Sequence, residues 1–260
     1  MFPLKDNIPT ARFPVVTVAL IVANVVAFLL QIRAGGTIGS GPDAQDSVRW
    51  GFIPYELTNW GKQCDLVAER VVCEGQSGVS GAAESQPGTI VTIFTSMLMH
   101  GGLLHIGGNL LFLWIFGNNV EDAMGRFRYL LFYLLGGLAA VALQTAVDPG
   151  STVPNIGASG AIAAVLGGYL VLYPRARVLT LVFLVIFFTF IQLPAILFLF
   201  IWIFQQVLFG LAGLTSGAEQ SGGVAYFAHI GGFVFGALAI KLFATRVKRD
   251  YVPPPRPQPF

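Results

Sequence analysis

Six stretches of apolar residues constrain this chain more than any other feature. A helix needs about 20 mostly apolar residues to cross a bilayer's hydrocarbon core of roughly 30 Å. Such stretches lie at 14–33, about 103–119, 127–147, 157–173, within 178–213, and 224–244. Composition agrees: 55% of the 260 residues are hydrophobic and only 11% are charged, where soluble domains carry about 25% charged residues. The mean hydropathy is +0.71. The expected fold class is therefore all-α, a polytopic membrane bundle of six transmembrane helices whose surroundings are the lipid bilayer. The net charge of +2 says nothing useful about partners, and no nucleic acid is expected.

The fifth region is long enough to suggest two spans, but Gln192-Leu193-Pro194 interrupts it. Proline favours the first turn of a helix, so the fifth span is expected to start near Leu193, with 178–192 at the interface or beneath the bundle. Charge placement supports this count. With six spans and the N-terminus inside, 11 of the 15 Lys and Arg fall on the inner side: Lys5, Arg12, Arg126, Arg128, Arg175, Arg177, Lys241, Arg246, Lys248, Arg249 and Arg256. This is the positive-inside pattern, and a seventh span would break it. The expected layout is a cytoplasmic N-terminus (1–13), a six-span domain (14–245) and a cytoplasmic, proline-rich tail (246–260). A long, partly membrane-embedded outer loop (34–92) follows the first span. That span lacks a small-residue cleavage pattern and reads as retained. Trp50, Phe52, Tyr55 and Trp60 suggest that the outer loop dips into the interface. Cys64 and Cys73 lie in this loop, on the oxidising side, where a disulfide or two unpaired thiols are both open readings.

Polar residues inside a membrane point to function. His105, Asn109, Ser159 and His229 stand out. Helices 2, 4 and 6 run from outside to inside, and at 1.5 Å per residue all four residues fall at similar depths in the outer half. On helix 4, Ser159, Ala163 and Gly167 form a small-residue stripe, matched on helix 6 by His229, Gly232 and Gly236. The Gly232-x-x-x-Gly236 spacing lets membrane helices approach closely. If these faces meet, a serine hydroxyl comes within reach of an imidazole, the pairing of a nucleophile with its general base. His105 and Asn109, with the Ser159 N–H at a helix start, can stabilise an oxyanion. Gly157, Ala158 and Gly160 around the serine allow a substrate backbone to approach. Gly-x-Ser-Gly alone is a weak motif; the agreement of three helices in depth strengthens it. His100 at the loop–helix boundary reads as structural, and Glu121, Asp122, Arg126 and Arg128 as a solvated or paired turn. No cofactor is expected. A metal is not expected either, because His100 and His105 are five apart with no cysteine or acidic group nearby.

His100-x4-His105-x3-Asn109, Gly157-Ala158-Ser159-Gly160 and Ala228-His229-x2-Gly232-x3-Gly236 resemble the motifs of rhomboid intramembrane serine proteases, in their compact six-span bacterial form. The resemblance implies a Ser–His dyad without a catalytic acid, with Ser159 as nucleophile and His229 as base. It places His105, Asn109 and the Ser159 N–H around the oxyanion and makes His100 structural. It also implies a lateral opening and cap at the fifth helix, transmembrane protein substrates, and a bacterial inner membrane. Some relatives carry a tyrosine one turn after the serine, where this chain has Ala163; Tyr169 and Tyr226 are the alternatives for orienting His229. Gly108 stands where some relatives have a bulky residue. The alternative is a non-proteolytic rhomboid-like protein that binds and escorts membrane segments, although such relatives usually lose the serine or histidine. A small transporter fits less well, with no inverted repeat or paired broken helices.

Overall fold

The structure, a computed structural model, describes residues 2–79, 83, 86–184, 187–216 and 224–246. Most of the proline-rich tail and part of the loop before the last helix lie outside the described residues. The chain is a helical membrane bundle with two small sheets at its ends. Among the described residues, five helices have the length and apolarity to cross a membrane: α1 (Val15–Arg33), the continuous helix Leu103–Met124, α7 (Arg126–Val147), α9 (Ala195–Ser216) and α10 (Tyr226–Phe243). Leu103–Met124 comprises α5 (Leu103–Phe112), a π-helical turn (Leu113–Gly117) and α6 (Asn118–Met124). Exposed Leu29, Leu30, Phe200, Phe204, Leu238 and Leu242 line outer helix faces, an apolar surface suited to lipid.

The sixth apolar helix, α8 (Ser159–Leu172), has only 14 residues. At 1.5 Å per residue it rises roughly 21 Å, short of a 30 Å core. Every residue from Gly160 to Tyr169 is buried, so α8 forms the bundle's centre. Small residues explain how its neighbours reach it. A Cβ on Gly232 would strike the Gly160 carbonyl, and one on Gly236 would strike the Ala164 carbonyl. The expected small-residue faces of α8 and α10 thus meet backbone to backbone.

The segment expected at the interface or beneath the bundle is an antiparallel hairpin, β4 (Arg177–Leu184) and β5 (Phe187–Pro194). Alternating β-branched and aromatic residues such as Val178, Thr180, Val182, Phe188 and Phe190 favour a strand. The N-terminal strand β1 (Phe2–Asp6) pairs with β4, giving the order β1-β4-β5. The apolar run thus conceals a sheet at the end of the bundle that carries both this hairpin and the N-terminus. α9 begins at Ala195, close to the expected Leu193. Its first N–H groups are accepted by Ala176 O at 2.7 Å and Pro174 O at 3.0 Å.

At this sheet end Asp6 is buried and accepts hydrogen bonds from Tyr169 Oη at 2.6 Å and Asn119 Nδ2 at 2.8 Å. Burial pushes the Asp6 carboxyl above its ordinary value; hydrogen bonds from Tyr169, the Ile8 backbone and Asn119 pull the other way without offsetting it. A carboxyl with a raised folded-state pKa favours the fold when protonated. Its contribution is fully present below the unfolded pKa and lost as pH rises through the folded value. Thermal melts should therefore show wild type gaining stability relative to Asp6→Asn as pH falls from 7 toward 4. A pH-independent difference would contradict the assignment. Glu121, expected in a solvated or paired turn, is instead buried. Its Oε1 accepts from Val16 N at 3.0 Å, and its Oε2 from Thr17 N and Thr17 Oγ1, both at 2.8 Å. It caps α1, whose N-cap Pro14 has no side-chain acceptor, and a carboxylate suits the positive end of the helix dipole.

At the opposite end the long loop folds over the bundle. It contains α2 (Ala44–Trp50), α3 (Pro54–Thr58), the hairpin β2 (Cys64–Val67) and β3 (Arg70–Cys73), and α4 (Thr89–Ser96). Cys64 and Cys73 face each other in the β2–β3 register and are joined by a disulfide. Trp50 and Trp60 are exposed, but Phe52 departs from the expectation of an interfacial side chain. It is buried against Ile93 and Met97 inside the protein.

Candidate functional site

The long loop builds the platform from which Ser159 projects. Phe52 and Asn155 exchange backbone hydrogen bonds of 3.0 and 2.7 Å, and Gly157 N donates to Ser96 O at 2.8 Å. The segment before α8 is thereby stapled from two sides. Gly157 has φ +130°, and a Cβ there would lie 2.8 Å from His105 Nε2 and 3.4 Å from Ser159 Oγ. Only glycine suits both the backbone conformation and the space. Ala158 is buried, and Ser159 opens the helix, where the first N–H groups have no intrahelical acceptor.

His229 lies in the first turns of α10. Its Nε2 is 2.7 Å from Ser159 Oγ. Its Nδ1 is 2.8 Å from Gln206 Oε1 on α9. The Trp202 ring, one turn before Gln206, is tilted 35° to the imidazole with centroids 5.8 Å apart. The two tyrosines considered for orienting His229 are engaged elsewhere, Tyr169 with Asp6 and Tyr226 against the Phe209 ring at 5.7 Å. Ala163 is buried, facing Gly232.

On α5, His105 Nδ1 accepts from Gly101 N at 3.2 Å. The proton therefore sits on Nε2, the nitrogen facing Gly157. Asn109 Nδ2 is buried with no hydrogen-bond partner. Two side-chain donors thus lie beside the serine with hydrogen-bonding capacity to spare. A cavity of about 560 Å³ joins these groups, lined by His105, Gly108, Asn109, Ser159, Trp202 and His229 among others. It lies between α5, α8, α9 and α10, and Gly108 leaves its wall open on the α5 side. His100 lies outside this lining. It is fully buried, its Nδ1–H donates to Leu98 O at 3.2 Å, and its backbone N donates to Gln31 Oε1 at 3.2 Å. Among the described residues no group of three His, Cys, Asp or Glu is placed to hold a metal.

Three glutamines went unnoticed in the sequence: Gln31, Gln144 and Gln206. Gln144 Oε1 accepts from Ala228 N at 3.1 Å, fixing the residue before His229. Each sits inside an apolar run, and that placement was the available signal.

Fold and site together define a class: an integral membrane helical bundle with a hydrogen-bonded serine–histidine pair facing an internal cavity. The chain belongs to the rhomboid family, whose model, described as the Rhomboid domain, matches residues 87–246. It is 29% identical over 152 residues to Rhomboid protein 1, mitochondrial, of Saccharomyces cerevisiae, covering 57% of this chain and 40% of that one. It is 37% identical over 78 residues to Rhomboid protease GluP of Bacillus subtilis, 30% of this chain and 15% of that one. It is 40% identical over 73 residues to Rhomboid-related protein 2 of Mus musculus, covering 28% and 24%. The chain thus spans less than half the length of these relatives.

Proposed function

We propose that this protein is an intramembrane serine endopeptidase that cuts transmembrane segments of other membrane proteins. The observation that carries this reading is the 2.7 Å contact between Ser159 Oγ and His229 Nε2 inside a cavity within the bundle. In this mechanism the Ser159 hydroxyl adds to a peptide carbonyl while its proton passes to His229 Nε2. The oxyanion is met by His105 Nε2–H, Asn109 Nδ2–H and the Ser159 backbone N–H. The C–N bond then breaks, and the leaving amine takes the proton from His229, leaving an acyl-enzyme on Ser159. Water, deprotonated by His229, attacks the ester. The second tetrahedral intermediate collapses, and Ser159 recovers its proton.

The excess of Lys and Arg on the side opposite the serine supports cytoplasmic ends and an active site open to the outer face. A match to a bacterial protease by name is compatible with a bacterial inner membrane. A serine-directed fluorophosphonate tests the reading directly. The protein should be labelled at Ser159 and should cleave a reporter transmembrane substrate in vesicles, and prior labelling should abolish the cleavage. An unlabelled protein that still binds the substrate would support the non-proteolytic alternative.

A further inference from the structure

The proposed dyad leaves one requirement open. A histidine acts as base toward serine only if Nε2 is unprotonated, so the proton must sit on Nδ1 and something must hold it there. Gln206 occupies that place, with Oε1 2.8 Å from Nδ1. The amide's orientation follows from its other contact. Gln206 Nε2 lies 3.3 Å from the Trp202 carbonyl, which can only accept. The NH2 end is therefore committed to the backbone, and the carbonyl end faces the imidazole. A carbonyl facing Nδ1 requires Nδ1–H, which turns the lone pair of Nε2 toward Ser159. Reversing the amide would break the bond to Trp202 and set two carbonyl oxygens, both acceptors, against each other.

The surroundings favour this arrangement. Gln206 is 7% exposed, and a neutral amide in such a place costs less to bury than a carboxylate without a compensating cation. Ser159, Trp202 and Gln206 surround the ring from α8 and α9, and His105 lies across the cavity from α5. We propose that Gln206 is a positioning residue for His229, holding the imidazole as the Nδ1–H tautomer with Nε2 aimed at Ser159. The catalytic role of the pair rests on the peptidase reading; the tautomer assignment does not.

Gln206→Met keeps nearly the same volume and removes the acceptor, whereas Gln206→Glu keeps an acceptor at the same reach. In full-length protein in vesicles, Gln206→Met should lower kcat by about 100-fold or more with KM within about twofold, the effect of losing the correct tautomer rather than substrate binding. Gln206→Glu should recover most of the loss in kcat while melting below wild type, the cost of burying its carboxylate without a cation. Nitrogen NMR of histidine-labelled protein supplies a readout independent of turnover. Wild type should show His229 protonated at Nδ1, and Gln206→Met a mixture of tautomers. Wild-type His229 protonated at Nε2, or a Gln206→Met protein with unchanged kcat and tautomer, overturns the proposal. A wild-type protein that shows the Nδ1–H tautomer but cleaves nothing refutes the peptidase reading while leaving the positioning role intact. Should Gln206→Met fail to fold, the same spectrum of Gln206→Ala decides whether the tautomer depends on Gln206: a mixture supports the proposal and an unchanged Nδ1–H tautomer overturns it.

Discussion

Ser159→Ala will reduce cleavage of a transmembrane reporter by about four orders of magnitude or more, and His229→Ala will do nearly the same. The two losses will not add, because each variant breaks the same proton-transfer unit. Once the hydroxyl is gone His229 has nothing to deprotonate, and without the imidazole the hydroxyl has no base within reach. Ser159→Ala should keep the wild-type melting profile, and His229→Ala should lose only the roughly 1–3 kcal/mol that leaving Gln206 Oε1 unpaired costs. Ser159 Oγ sits at the mouth of α8 beside the cavity, and neither residue supplies the main packing of the α8–α10 interface. Single-turnover cleavage and thermal melts on the same preparations check both halves. Ser159→Ala retaining more than about one percent of wild-type activity would exceed any contribution expected from binding and oxyanion donors alone, and would remove Ser159 as the nucleophile.

The second large effect concerns packing. Gly236→Val will destabilise the bundle by roughly 3 kcal/mol or more, a fall of about 10 °C in Tm, because overpacking here meets backbone rather than a side chain that can turn aside. The atom in the way is the Ala164 carbonyl, and α8 is buried on every face, so it has no free side toward which to move. Activity should fall with it, since Ser159 and His229 ride on the two helices being forced apart. Gly107→Ala is the control: nothing lies within 4 Å of a Cβ there, and the melting point should stay in place. A Gly236→Val protein melting with wild type would mean that α8 and α10 are not in backbone contact.

Much of the bundle was legible because the bilayer imposes a length and an apolarity on each helix that composition displays directly. Ser159, His229, His105 and Asn109 were legible for the converse reason: a polar side chain within such a run is costly and stands out. The glycine faces could be paired in advance because Gly232, Gly236 and Gly167 can do little else there than admit a neighbouring backbone. Where expectation and structure differ, hydropathy alone is ambiguous. The 178–194 segment is apolar enough for a helix, yet its β-branched and aromatic residues pair as a hairpin, and the partner strand comes from about 175 residues earlier, at Phe2–Asp6. Glu121 reads from the sequence as part of a solvated or paired turn because the helix it caps is distant in sequence. Phe52 looked interfacial because an aromatic in a loop gives no sign of whether lipid or protein will cover it.

By itself, then, the sequence determined which segments enter the membrane and which polar groups share a depth, since both follow from periodicity, length and solvation along the chain. Tertiary structure decided how those groups are held. The Gly157 backbone depends on Ser96, the Asn155 strand contact on Phe52, and the His229 ring on Gln206 and Trp202. These are directional contacts between segments far apart in sequence. Their geometry exists only once α8, α9 and α10 have packed, because a hydrogen bond is set by distances and angles in space that spacing along the chain does not encode.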